Sequence, residues 1–493
     1  MIRVACGLAV VALLLGAAAP AAVAAPAMDD RARIDTLVAE TMRGSAVPGL
    51  ALAVVHHDTV VHLRGYGDAG DGRPVTARTR FLAASLSKSL TATAVLRLVD
   101  DGAVALDAPV RRYLPEFTTA APAAADRITV RHLLNQTSGL ADTGFPEMTL
   151  PQPDSIAQRV TSLRDAEPVS SPGSQFHYFN PNYAVLARIV EVVSGRPFAE
   201  ALDSQVLTPL GMRDSTSVVT TAELPSRAPG LARGHVVAVG TAITHDEPAG
   251  YLAGSGGVVT TAGDLGRFLQ MQLSGGTLDG VRVVSAGAVT TMHTPPPSVP
   301  GGYAMGWFAH QGLLEHNGVL TGFYAEQALL PSADLGVAVL ANSYHSLTGV
   351  QGLARRIANV LTGTDPGGGI PLRVLSYTFL GLSVLTVALR SWRLARTRRW
   401  ATRHQGRPTW WRIAPWTLWV LWMLAPAALL AALPALTATF TGRVFSFSQL
   451  FWAMPDILGW LGVAAVTGAV LVIARGSALL RAGVSRSWPR RPA

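Results

Sequence analysis

The sequence predicts an α+β domain followed by an all-α membrane region, and three observations predict it. β-prone runs gather near the N-terminus and again before residue 345, with helical patterns between them. Beyond residue 366 three long apolar stretches take over. The charge divides at the same place. Residues 1–366 hold 25 basic and 30 acidic side chains, a balance of −5, whereas residues 367–493 hold 15 arginines and one acid, Asp456, a balance of +14. The net charge of +9 therefore belongs to an apolar tail, which points to a membrane and away from nucleic acid.

Taken in order, the chain begins with Met1, Ile2 and Arg3, an apolar run to Ala18, and small residues at Ala22, Val23 and Ala24. A basic start, an apolar middle and a small-residue end predict a signal peptide over residues 1–25, cleaved near Ala24; a retained N-terminal anchor is the alternative. Cys6 is the only cysteine, so neither a disulfide within the chain nor a cysteine-based metal site can form.

Residues 29–43 place Ile34, Leu37, Val38 and Met42 at helical spacing. Residues 50–56 and 60–65 are two β-prone runs around His57, Asp58 and Thr59, a hairpin pattern. His56, His57 and Asp58 occupy adjacent hairpin positions and point to alternate faces, which favours a solvated turn over a metal site. Residues 141–175 are rich in Pro, Ser, Asp and Gly and read as loop. A helix follows Asn180, with Val185, Ile189, Val192 and Val193 as its buried stripe and Gly195 as its stop. Strands are expected over 303–308, 314–320, 324–330 and 336–340, and a last helix over 350–361.

The globular domain is thus bounded at 26–363, a linker at 364–372, and a membrane region at 373–493. Its three spans fall at about 371–390, 413–438 and 455–474. Residues 390–412 carry eight arginines and five more follow residue 474. The positive-inside rule puts both Arg-rich segments in the cytoplasm, and so the globular domain outside it. The signal sequence leads to the same multi-pass cell-membrane arrangement from the opposite end of the chain.

The chemistry centres on Lys88, the only lysine in a chain with 40 basic residues. A guanidinium is never deprotonated, whereas an ammonium away from water can lose its proton and act as a base. Ser85 precedes it by three residues at a helix start, so hydroxyl and amine share one face. G-x-S-x-G occurs nowhere, which argues against the nucleophile elbow of an α/β-hydrolase. What occurs, in order, is Ser85-x-x-Lys88, Tyr178-x-Asn180 and His316-Asn317-Gly318.

These spacings resemble the serine β-lactamase-like family, in the branch of class C β-lactamases, DD-peptidases and related esterases. Residues 133–140, 209–212 and 256–265 resemble it as well, and the likeness covers roughly residues 30–362. The resemblance implies an antiparallel sheet flanked by helices with a mostly helical second lobe, and an active site between the two. It makes Ser85 the acylated nucleophile, with Lys88 and Tyr178 sharing the general-base work and the amine depressing the phenol's pKa. Asn180 would hydrogen-bond the substrate amide or the Lys88 amine. His316 and Gly318 would lie along the substrate, and the backbone N–H groups of Ser85 and Val319 would form the oxyanion hole. The chemistry so implied needs no metal or other cofactor. The departure is His316-Asn317-Gly318 in place of K-[ST]-G. A neutral histidine and an asparagine suit an anionic substrate carboxylate less well than a lysine and a hydroxyl, which weakens the case for an efficient β-lactamase.

The expected function is a membrane-anchored serine hydrolase acting on a small-molecule or peptide substrate: a D-Ala-D-Ala-type peptide, a β-lactam or a carboxylic ester. The competing expectation is a sensor that binds a cell-wall fragment or β-lactam without turnover.

Overall fold

A computed structural model describes residues 28–484 except 298, 300–301, 348, 369–370 and 405–408; the expected signal peptide lies outside the described residues. All eight residues of β1 (Gly49–His56) are buried, because the strand is covered on both faces. Leu50, Leu52 and Val54 enter one core and Ala51, Ala53 and Val55 another, as a period of two requires. The strand β2 (Thr59–Gly67) returns across a two-residue turn in which His57 adopts φ +54°, so the expected hairpin is present.

The other strands of this sheet come from the far end of the domain. They are β3 (Tyr303–Ala304), β4 (Trp307–His310), β5 (Leu313–Val319), β6 (Tyr324–Leu330) and β7 (Leu335–Ala341). The order is β3-β4-β5-β6-β7-β1-β2, and every pairing is antiparallel. Residues 68–302, inserted between β2 and β3, supply the mostly helical lobe. The expected α+β architecture is therefore the observed one.

Two helices from opposite ends of the domain, α1 (Met28–Ser45) and the C-terminal Leu353–Leu361 helix, close one face through Ile34, Val38, Leu353 and Ile357. The other face meets α2 (Ser87–Asp100), which packs on α3 (Pro181–Ser194), and α4 (Ala262–Leu273). Burying each such Leu, Ile or Val completely stabilises the fold by about 1.5–3 kcal/mol. Gly195 ends α3 at φ +69°, as expected. The buried stripe of α3 is shorter than predicted. Val185 and Ile189 are buried, but Val193 is only partly so and Val192 lies 44% exposed, because the last turn runs out past the lobe it packs on.

With Leu353–Leu361 as α5, the described residues after it form α6 (Leu372–Ala395), a short helix at Thr397–His404, α7 (Thr409–Thr441), α8 (Phe447–Ala453) and α9 (Pro455–Val484). Among the described residues three helices are long and apolar enough to cross a membrane: Leu372–Ala395, Trp416–Thr441 and Pro455–Arg481. The short α8 was not foreseen. One end of this set lies on the globular domain. There Val239 donates its N–H to Asp456 (2.6 Å) and Ser346 donates its N–H to the Ala453 carbonyl (2.9 Å). At the other end the Arg475 guanidinium lies over Trp400 and Trp419, 4.6 and 4.8 Å from their ring centres.

Candidate active site

Ser85 lies in a 3-10 turn, Ala84–Leu86, that runs directly into α2. Ala84 sits at φ +47°, a left-handed conformation that costs a non-glycine residue of order 1 kcal/mol. The turn is held from outside. Ala83 donates its N–H to the Val258 carbonyl (2.9 Å), and Val258 donates its own to the Ser87 hydroxyl (3.0 Å). The Gly-rich stretch before Val258 thereby pins the start of α2. Gly254, at φ +74°, passes so close to Tyr183 that a Cβ would stand 2.2 Å from its carbonyl oxygen.

Three residues after Ser85, in the first turn of α2, Lys88 is fully buried. Its Nζ lies 3.1 Å from Ser85 Oγ and 2.8 Å from the Ser255 carbonyl, to which it donates. Burial first, and the Arg443 charge second, hold the amine well below its ordinary range, with Glu147 opposing. Tyr178 places its ring centre 4.9 Å from Lys88 Nζ. The ring keeps partial exposure toward the cleft, yet burial around the phenol pushes its pKa up to about 12, against the lowering effects of Ser85 and Arg443. The expected depression of the phenol by the amine is thus not what the geometry yields, because loss of solvation is the larger effect.

The 133–140 segment positions Tyr178 and Asn180. Gln136 Oε1 accepts the Phe179 N–H (3.2 Å) and the Asn182 amide (2.6 Å), while Ser138 donates to Asn182 Oδ1 (2.8 Å). Asn180 does not donate to the Lys88 amine. Its amide goes to Glu147 Oε1 at 2.9 Å, a carboxylate being the stronger acceptor.

Strand β5 forms the opposite edge. Its pairing with β4 stops at Glu315, so residues 316–319 have a strand partner only in β6. His316 is 2% exposed among Tyr178, Tyr303 and Phe308, and burial pushes its pKa down to about 3, with the Lys88 charge adding to the effect. Its Nδ1 lies 2.7 Å from the Asn317 carbonyl, which fixes the proton there, and Nε2 is buried without a partner. At Gly318 a Cβ would stand 2.4 Å from the Ala83 oxygen and 2.9 Å from the Ser85 nitrogen; only glycine lets β5 approach the serine turn this closely. Ser85 and Val319 both line a cavity of about 310 Å³ that Asn180 also reaches.

The fold thus gathers Ser85, Lys88, Tyr178, Asn180, His316, Gly318 and Val319 around one cleft. Four charged residues beside it escaped the sequence analysis: Asp142, Glu147, Arg159 and Arg443. Glu147 lies between Arg159 (3.6 Å) and Arg443 (3.9 Å), and Arg443 Nε donates to Asp142 at 2.6 Å. The one signal for Arg443 was its position, since it and Arg373 are the tail arginines outside the two Arg-rich segments.

Comparison with known proteins bears on the family and the fold. The beta-lactamase family matches residues 34–362. Penicillin-binding protein 4 of Amycolatopsis lactamdurans is 32% identical over 344 residues, covering 64% of this chain and 86% of its own. Esterase EstB of Burkholderia gladioli is 32% identical over 388 residues, covering 69% and 97%. Among solved structures, the octameric penicillin-binding protein homologue from Pyrococcus abyssi superposes with a TM-score of 0.58 at 25% identity, covering 71% of this chain and 81% of that one. This chain belongs to the beta-lactamase family and is a serine hydrolase.

Proposed function

We propose that the protein is a membrane-anchored, extracytoplasmic hydrolase that opens an ester or amide through an acyl-enzyme on Ser85. The observation that carries this reading is a fully buried amine 3.1 Å from a partly exposed hydroxyl. Kept neutral, Lys88 gives one N–H to the Ser255 carbonyl and turns its lone pair to the Ser85 O–H. As the Ser85 oxygen bonds to the substrate carbonyl carbon, its proton passes to the amine. The oxyanion faces the N–H groups of Ser85 and Val319. Collapse expels the leaving alcohol or amine, which takes a proton relayed through the Tyr178 phenol. Water then attacks the acyl carbon as the same amine takes its proton, and collapse breaks the acyl–Oγ bond while the amine returns that proton to the Ser85 oxygen, releasing the acid.

The cleft's charges favour an uncharged acyl group. Arg159 is matched by Glu147 and Arg443 by Asp142. His316 offers an acceptor and no charge. An ester therefore suits the site better than a peptide or β-lactam that presents a free carboxylate, a preference in keeping with the esterase among the relatives. The Arg-rich ends of the apolar helices support a cytoplasmic location for those ends and an outside location for the cleft.

The test is a fluorophosphonate probe and a substrate panel on the full chain in detergent. Wild type should be labelled and Ser85→Ala should not. A p-nitrophenyl ester should be turned over faster than a D-Ala-D-Ala peptide or a chromogenic cephalosporin. Stoichiometric labelling without turnover on any of them overturns the hydrolytic reading in favour of a binding sensor. A C-terminal reporter should be active only in the cytoplasm.

A further inference from the structure

The connection between the second and third apolar helices enters the cleft. Gly442, at φ +68°, turns the chain out of α7, and Arg443 follows with its side chain 15% exposed. Its Nε donates to Asp142 Oδ2 (2.6 Å), an oxygen that also accepts the Val444 N–H (3.3 Å). The guanidinium carbon lies 5.2 Å from the centre of the Tyr178 ring. Three residues on, Ser446 lines the cavity, and Ser448 and Gln449 of α8 line it too. A tether requires none of this. Enclosing a guanidinium and a carboxylate together costs several kcal/mol of lost hydration per ion unless the pair is well matched. A flexible link over the same distance would avoid that cost.

We propose that Arg443 is a positioning residue of the hydrolase site, supplied by the membrane region to the ring of Tyr178, and that the cleft is complete only when the membrane region is docked on the hydrolase domain. This rests on the reading of Ser85, Lys88 and Tyr178 as the reacting set. A fixed positive charge beside an amine and a phenol favours the neutral amine and the ionised phenol, the two forms able to take a proton from Ser85. Arg443 acts in that direction on both groups. The other titratable groups facing them are Tyr183 from α3, Tyr303 from β3, His316 from β5, and Asp142 and Glu147 from the loop before α3. Of these, Asp142 and Glu147 act against Arg443, whose charge adds to burial in favouring the neutral amine and works against burial at the phenol.

The experiment measures kcat/KM against pH on a p-nitrophenyl ester, using the full chain in nanodiscs. Arg443→Gln should lower kcat/KM roughly tenfold near neutral pH and move the acidic limb to higher pH by about one unit, with activity recovering at alkaline pH. Arg443→Lys keeps the charge and should keep the limb in place. Ser448→Trp, at an exposed position of the cavity wall, should raise KM for long-chain esters more than for acetyl esters. An unmoved limb in a folded Arg443→Gln protein overturns the electrostatic role. An unmoved chain-length preference in Ser448→Trp overturns the wall. Should Ser85→Ala keep wild-type turnover in the same assay, the serine reading itself has failed, and that result is separate from both.

Discussion

The two sides of the cleft are built by different means. On one side a single turn of helix carries the proposed nucleophile and its proposed base: Ser85 and Lys88 are three residues apart, and the backbone alone brings their atoms to 3.1 Å. On the other side Asp142 and Glu147 come from a loop, and Arg443 comes from the link between two apolar C-terminal helices some three hundred residues later. The first side is set by local geometry. The second exists only through tertiary docking, so a small change in docking free energy can alter it without touching the nucleophile. Each side can be broken separately, and the size of the loss tells which kind of construction is at stake.

The largest effect is expected on the local side. Lys88→Arg keeps a positive charge but replaces an amine that can be neutral with a group that cannot. It also forces a bulkier head into a fully buried site. We expect kcat/KM to fall by roughly 10²–10⁴-fold, the usual contribution of a positioned base. Single-turnover acylation of Ser85 is the measurement, and a near-normal rate would remove Lys88 from the base role.

A second, smaller loss should come from the edge where β5 meets the serine turn. Gly318→Ala inserts a methyl group into space already occupied by Ala83, Ala84 and the Ser85 nitrogen. Either β5 or the turn must move, and a displacement near 1 Å at a reacting centre can cost about 10²-fold. We expect kcat to fall about ten- to a hundredfold, with the thermal midpoint lowered by only a few degrees because the rest of the sheet is undisturbed. A loss of activity matched by global unfolding would instead make Gly318 a folding residue.

The same contrast explains what could be read from the sequence. Lys88 stood out because its neighbours along the chain define its setting; spacing within one helix is legible without a fold. The hairpin at β1 and β2 and the three apolar helices were legible for the same reason, since periodicity and length are local properties. Glu147 was not. It sits in a Pro- and Gly-rich stretch whose path depends on what it packs against, and its role as acceptor for Asn180 comes from residues 33 positions apart. The pKa order of Lys88 and Tyr178 was also out of reach, because burial decides it and burial is a property of the whole domain. Arg443 shows the limit most clearly. Charge counting assigned the tail to a membrane and treated all its arginines alike, yet this one is enclosed against Asp142.

The smallest expected effect tests the docked side at a distance from the chemistry. Asp456 is the single acid in a tail of 15 arginines, and it does not pair with any of them among the described contacts. It accepts the Val239 N–H from the globular domain and the Ser376 hydroxyl from α6, which ties the start of α9 to both neighbours. Asp456→Ala leaves those two donors unmatched at a cost of about 1–3 kcal/mol. Hydrogen exchange at the Val239 amide should quicken roughly ten- to a hundredfold, since about 1.4 kcal/mol is one factor of ten. Activity should fall only about two- to threefold, because Ala453, Trp452 and Arg443 still hold the α7–α9 connection through Ser346, His245 and Asp142. If exchange at Val239 quickens and kcat/KM drops as far as in Arg443→Gln, the docking contacts act as one cooperative unit. Were exchange to stay at the wild-type rate, Asp456 would have no part in docking, and the Arg443 segment would reach the cleft by its own contacts alone.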